Sequence, residues 1–182
     1  MKTLTSCLLV LAAVVAGTLT GCSATATKSP DVAEGVRKAL DQAGFKDVSA
    51  SQDRDKGVIT LSGHVATDTD KAQAESITQT IAGTQVVSNQ IAVLPPGSES
   101  DAKTVNSDLD KGIANNLNAA LIQEKLHNSV KYSVKNHVVT LSGEVASQAL
   151  RTRAEAVASA VLNVQQVVNE LQVKGQKATS SK

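Results

Sequence analysis

The stretch Val58-Ile59-Thr60-Leu61-Ser62-Gly63-His64-Val65-Ala66 decides the fold, because it returns as Val138-Val139-Thr140-Leu141-Ser142-Gly143-Glu144-Val145-Ala146. The offset of 80 residues holds without a gap as far as Val93 and Val173. It pairs Ala74 with Ala154, Glu75 with Glu155, Val87 with Val167 and Asn89 with Asn169. Upstream, Ala39-Leu40 matches Ala120-Leu121 at offset 81, so small indels precede the core motif. Self-similarity of this extent is the mark of a repeated structural unit. The chain therefore carries two homologous modules, each of about 60 residues.

Hydrophobic periodicity gives each module the same order of elements. Val32, Val36 and Leu40 recur every four residues as one helical face, with Ser29-Pro30 opening the helix and Gly44 closing it. Val48 to Gln52 and Val58 to Val65 alternate around Asp53-Arg54-Asp55-Lys56-Gly57, the pattern of a β-hairpin. Thr67-Asp68 caps a second helix in which Ala74, Ile77 and Ile81 share a face, and Gly83 stops it. Val87, Asn89, Ile91 and Val93 alternate as a last strand. The second copy repeats this with Ile113, Leu117 and Leu121. A hairpin turning at Lys135-Asn136 follows, then Leu150, Ala154, Val157 and Val161, and finally Val167 to Val173. Asn163 replaces Gly83, consistent with a position that needs positive φ. The fold class is α+β: two tandem αββαβ modules, each with two helices packed on a three-stranded mixed sheet. So small a domain has a small core, and packing of one module on the other is expected.

The N-terminus reads as an address. Lys2 precedes an apolar run from Leu8 to Leu19, too short for the roughly 20 residues of a membrane-spanning helix and suited to a secretory signal. It ends in Leu19-Thr20-Gly21-Cys22, which resembles the bacterial lipobox. That resemblance implies cleavage after residue 21 and covalent acyl chains on Cys22, several of which anchor where one is marginal. Ser23 after the cysteine favours the outer over the inner membrane by the same analogy. The expected organisation is a signal peptide (1–21), a lipidated tether (22–29) and module 1 (30–93). A Pro-Pro linker (94–108), module 2 (109–173) and a disordered basic tail (174–182) complete the chain.

Composition removes whole classes of function. There are 18 Lys+Arg against 17 Asp+Glu, without the basic excess a nucleic-acid partner needs. Aromatics are 1% of the chain, too few for base stacking or aromatic cages. Cys7 and Cys22 both precede the modules, so neither a disulfide nor a cysteine zinc site can form within them. His64, His127 and His137 lack metal-ligand spacing, and the motif serines lack a base and an orienting carboxylate common to both copies. We expect no enzyme, no cofactor and no metal site.

In these residues the modules resemble the BON-domain family (bacterial OsmY and nodulation). Its pattern is apolar-x-Leu-x-Gly-x-Val, an alanine-rich helix, then Gly-Val-x-x-Val-x-Asn and an alternating strand. Leu61, Gly63, Val65, Gly83, Val87 and Asn89 carry the match in copy one, and Leu141, Gly143, Val145, Val164, Val167 and Asn169 in copy two. Thr84 and Asn163 depart from the pattern. A lipobox ahead of two such modules is similar to the dual-BON outer-membrane lipoproteins of the division-associated type. Without an anchor, the module pair is similar to the osmotically inducible periplasmic members. The resemblance implies binding of phospholipid and support of envelope integrity; the alternative is a periplasmic chaperone or adaptor that holds client or partner proteins.

On the residues alone, Gly63, Gly143 and Gly83 read as backbone glycines, and Asn89 and Asn169 as partners of local backbone. From Asp31 to Val93 there are six basic and nine acidic residues; from Ile113 to Val173 there are five and four, and Lys174, Lys177 and Lys182 follow. Copy two is also apolar where copy one is polar: Leu150 for Asp70, Leu162 for Ala82, Val164 for Thr84 and Val168 for Ser88. These substitutions either complete the core and the intermodule contact or touch lipid. Under the second reading, the expected contact with an anionic phospholipid surface is Leu150, Arg151, Arg153, Lys174 and Lys177.

Overall fold

The computed structural model describes residues 28–175. Its elements run α1 (Ala33–Gln42), β1 (Val48–Asp53), β2 (Val58–Val65), α2 (Asp68–Ala82), β3 (Val86–Asn89) and β4 (Ala92–Val93), then α3 (Glu99–Gln123), β5 (Val130–Lys135), β6 (Val138–Val145), α4 (Gln148–Ser159), β7 (Gln166–Asn169) and β8 (Gln172–Val173). In each module the middle strand pairs antiparallel with its hairpin partner and parallel with the last strand. That last strand is broken in two, and both pieces pair with the same central strand. The sheet is mixed and three strands wide, with both helices on one face, as the repeat predicts.

The break is made by Asn89 and Asn169. Each turns its own Oδ1 onto the N–H two residues ahead, at Ile91 (3.3 Å) and Leu171 (3.2 Å). Each Nδ2 donates across to the second helix, to Lys71 O and Glu75 Oε2 in module 1 and to Arg151 O and Glu155 Oε2 in module 2. The repeated Asn and Glu thus form one buried brace from helix to sheet. Gly63 has φ +109°, and a Cβ there would sit 2.0 Å from Asp47 O; at Gly143 the φ is +119° and the clash is with Ser129 O at 2.4 Å. The strand end lies directly against the chain entering its hairpin partner, so only glycine fits. Gly83 and Asn163 both have positive φ (64° and 68°) after their helices.

Three sequence expectations change. The first helix begins at Ala33 rather than Ser29-Pro30, because residues 28–32 run beside the end of β1. Ser29 N donates to Arg54 O at 2.9 Å, and Gln52 Nε2 donates to Pro30 O at 2.7 Å. The second hairpin turns at Asn136-His137, not Lys135-Asn136. Both residues have positive φ, and Asp110 accepts both of their N–H groups at 2.8 Å. Within the 94–108 linker, residues 99–108 are helical: α3 starts at Glu99 and is 25 residues long against 10 for α1, leaving 94–98 as the non-helical connection. The signal peptide, Cys22 and Lys177 lie outside the described residues.

Each module has its own core. Val36, Leu40, Ile59, Leu61 and Ile91 fill the first, and Ile113, Leu117, Leu121, Leu141 and Leu171 the second. A third cluster joins them: Val58 and Val86 of module 1 pack on Val138 and Val168 of module 2. Val168, apolar where copy one has Ser88, is thereby a junction residue and only 1% exposed.

Candidate functional site

Arg151 and Arg153 begin only two residues apart in α4 and end in opposite surroundings. Arg151 is 4% exposed. Its Nε donates to Leu171 O and its Nη2 to Asn169 O, both at 3.0 Å, the carbonyls on either side of the break in the last strand. This removes Arg151 from the expected lipid contact: its charge is spent inside the module. Leu150 is half-buried and packs against the second core, as does Val164. Arg153 points outward, with its side chain 60% exposed, and pairs with Glu124 just past the end of α3. Lys174 is exposed at the end of β8, held there by its N–H bond to Val145 O at 2.9 Å.

The topology gathers Arg153 and Lys174 at one pole of module 2, together with a residue the sequence reading missed. Lys125, with φ 57°, ends α3 and is exposed beside Glu124. Ile122, 50% exposed on the last turn of α3, is the apolar neighbour. Two carboxylates oppose them, Glu124 in its ion pair and Glu144 exposed on β6. The hairpin turn lies at the other end of the module, so we term this the far pole.

The far pole of module 1 is built from the same positions with different charge. A shallow hollow there is lined by Gly44, Lys46, Asp47, His64, Asp70 and Gln73. Gly44 stands where module 2 has Lys125, Gln73 where it has Arg153, and Asp70 where it has Leu150. Asp70 accepts a hydrogen bond from the Thr67 hydroxyl at 2.8 Å while Thr67 caps the helix, a reciprocal arrangement Leu150 cannot make. The signal for Lys125 in the sequence is the position-by-position alignment of the two copies, which sets it against Gly44.

The junction between modules is polar around its valine centre. Gln166 presents its amide to the free edge of β3, donating to Val87 O at 2.6 Å and accepting from Asn89 N at 2.9 Å. It thereby acts as a short substitute strand. Lys56 Nζ bonds Glu170 at 2.7 Å, and that carboxylate raises the Lys56 pKa above its ordinary value. Lys71, the counterpart of Arg151, instead reaches Gln165 across the junction at 3.2 Å. Burial lowers its pKa, with Asp68, Glu75 and Asp110 opposing the shift.

Among the described residues no three His, Cys, Asp or Glu side chains gather as a metal site, and no helix is long and apolar enough to cross a membrane.

A family model described as BON domain matches residues 28–95 and again 109–175. The chain is 32% identical over 142 residues to "Osmotically-inducible protein Y" of Escherichia coli (strain K12), spanning 76% of this chain and 69% of that protein. Two solved structures of CdsD, described as a structural protein of the type III secretion system of Chlamydia trachomatis, align over 77% and 81% of this chain. Identities are 16% and 13% and TM-scores 0.31 and 0.32, too low to carry an argument. The chain spans 60% of the first of those structures and 99% of the second.

Proposed function

Because the chain belongs to the BON-domain family, we propose that it is a lipid-anchored envelope protein that binds anionic phospholipid through the far pole of module 2. Acylated Cys22 holds it to the outer membrane on the periplasmic side, and its role is to support the envelope under osmotic stress. The similarity to an osmotically inducible protein supports that role, and the lipobox supports the anchor.

One observation carries the lipid reading. At equivalent positions the two poles differ: Lys125, Arg153, Lys174 and the exposed Ile122 in module 2 stand where module 1 has Gly44, Gln73, Leu94 and Asp41. Basic residues near an anionic surface are worth about 1 kcal/mol each, and Glu124 and Glu144 offset part of that sum, so the pole gives weak, salt-sensitive adhesion. The flanking apolar side chain suits the headgroup boundary.

The test is sedimentation of a fragment from Ser23 to Lys182, which retains every described residue, with anionic and zwitterionic vesicles at low and high salt. Binding to anionic vesicles alone, lost in salt and in Lys125→Glu/Arg153→Glu/Lys174→Glu, is the expected result. Absence of binding to either would end the lipid reading. A holding activity toward aggregating client proteins would then lead, using the outer edges of β1 and β5.

A further inference from the structure

The two modules are related by a local two-fold arrangement that turns their far poles in opposite directions. Lys56 and Asn136 are equivalent residues at the tips of the two hairpins, and Gln90 and Glu170 are equivalent residues in the last strands. Lys56 reaches Glu170, and Asn136 Nδ2 reaches Gln90 O at 2.8 Å. Each hairpin tip therefore lies level with the middle of the other module. The remaining contacts agree: Gln166, at the start of β7, meets Val87 and Asn89, and Gln165 meets Lys71. Moving from the hairpin of module 1 toward its far pole means moving from the middle of module 2 back toward its hairpin. The far pole of module 2 consequently extends on the hairpin side of module 1.

The N-terminal segment leaves on that same side. Lys28 pairs with Asp55 at 3.4 Å, and Arg54 Nε donates to Ser29 O at 2.7 Å, so residues 28 and 29 are fastened to the hairpin of module 1. Resting on the lipid-binding reading above, we propose that the protein engages, in cis, the leaflet that carries its own anchor. The membrane-facing side comprises the hairpin of module 1 and the basic far pole of module 2, and the far pole of module 1 is turned away.

The lengths are compatible. Glu170 N bonds Leu141 O and Lys174 N bonds Val145 O, four residues further along β6. At ~3.3 Å per residue, the basic pole stands about 13 Å beyond the level of the module 1 hairpin. Six chain links from Cys22 to Lys28 reach at most about 20 Å. The tether thus spans the offset, and both contacts can be made at once. A second contact made from a tethered state benefits from a high effective concentration, so an individually weak pole suffices.

The experiment places a single probe on each pole of the acylated mature chain (22–182, without Cys7), in anionic vesicles whose headgroups carry a quencher. Lys46 and His127 are equivalent and exposed, and the thioether at Cys22 leaves Lys46→Cys or His127→Cys as the sole thiol. Quenching severalfold greater at 127 than at 46 is expected, and Asp47→Cys against Asn128→Cys repeats the comparison should either variant misfold. Equal or reversed quenching overturns the orientation even where the soluble fragment sediments with anionic lipid. Failure of that fragment to bind ends the lipid reading separately. Bare anionic vesicles added to the acylated ones should remain dispersed; clustering would mean engagement in trans and would also overturn the proposal.

Discussion

Arg151→Met separates an internal arginine from a surface one. Methionine keeps an aliphatic stem in the space but removes the guanidinium that donates to Asn169 O and Leu171 O, both at 3.0 Å. Hydrogen bonds from a charged donor contribute about 1.5–3 kcal/mol each, so the two together reach about 3–6 kcal/mol. Releasing a desolvated cation returns part of that, leaving a net loss of about 3 kcal/mol. For a chain of this size, the loss lowers Tm by about 6–12 °C. Urea and thermal unfolding followed by far-ultraviolet circular dichroism are the assays, since one Tyr and no Trp make fluorescence a poor reporter. Arg153→Met, whose own side chain is exposed while its partner Glu124 is half-buried, should cost about 1 kcal/mol, well below Arg151→Met. Vesicle binding should reverse the ranking: at a temperature where both are folded, Arg151→Met binds like the parent and Arg153→Glu binds weakly. Arg151→Met within about 0.5 kcal/mol of the parent would falsify the reading of Arg151 as an internal brace.

Gly63→Ala and Gly143→Ala should each destabilise on the order of 3 kcal/mol, because a Cβ meets backbone oxygen at positive φ, whereas Gly83→Ala, with open space around it, should cost about 1 kcal/mol; equal melting shifts at all three would refute the close-approach argument. Gln166→Ala removes two edge hydrogen bonds worth about 1 kcal/mol each, so it should destabilise by about 2 kcal/mol in urea unfolding, and unchanged stability counts against the junction. Lys56 contributes a pH signature. Its folded pKa is raised above 10.5, so its contribution is complete below the unfolded value and disappears as pH rises through the folded one. Lys56→Met should be less stable than the parent at neutral pH and converge with it in strong alkali, and a constant difference across that window would exclude the Glu170 pairing as its source. Lys71 titrates in both proteins and cancels from the comparison.

The repeat at offset 80 determined the module count, the element order, the helix cap at Thr67 and the glycine positions. These are local consequences of periodicity and backbone sterics, so a single sequence suffices to read them. Charge was legible only as a sum. That module 2 and its tail are more basic follows from counting residues; which of those charges meets solvent does not. Arg151 and Arg153 share a helix turn, yet one meets the carbonyls of the broken strand inside the module and the other reaches Glu124 at the surface. Lys125 joins Arg153 and Lys174 because the end of α3, the start of α4 and the end of β8 converge at one pole. Likewise Gln166 stands where copy one has Val86. The substitution marks an asymmetry, but its role as a stand-in for a strand exists only once β3 lies beside it. The opposed orientation of the modules, and with it the side that faces the anchor, rests on contacts such as Lys56 with Glu170, 114 residues apart. No local pattern encodes a pairing at that separation, because it forms only after each module has buried its own core.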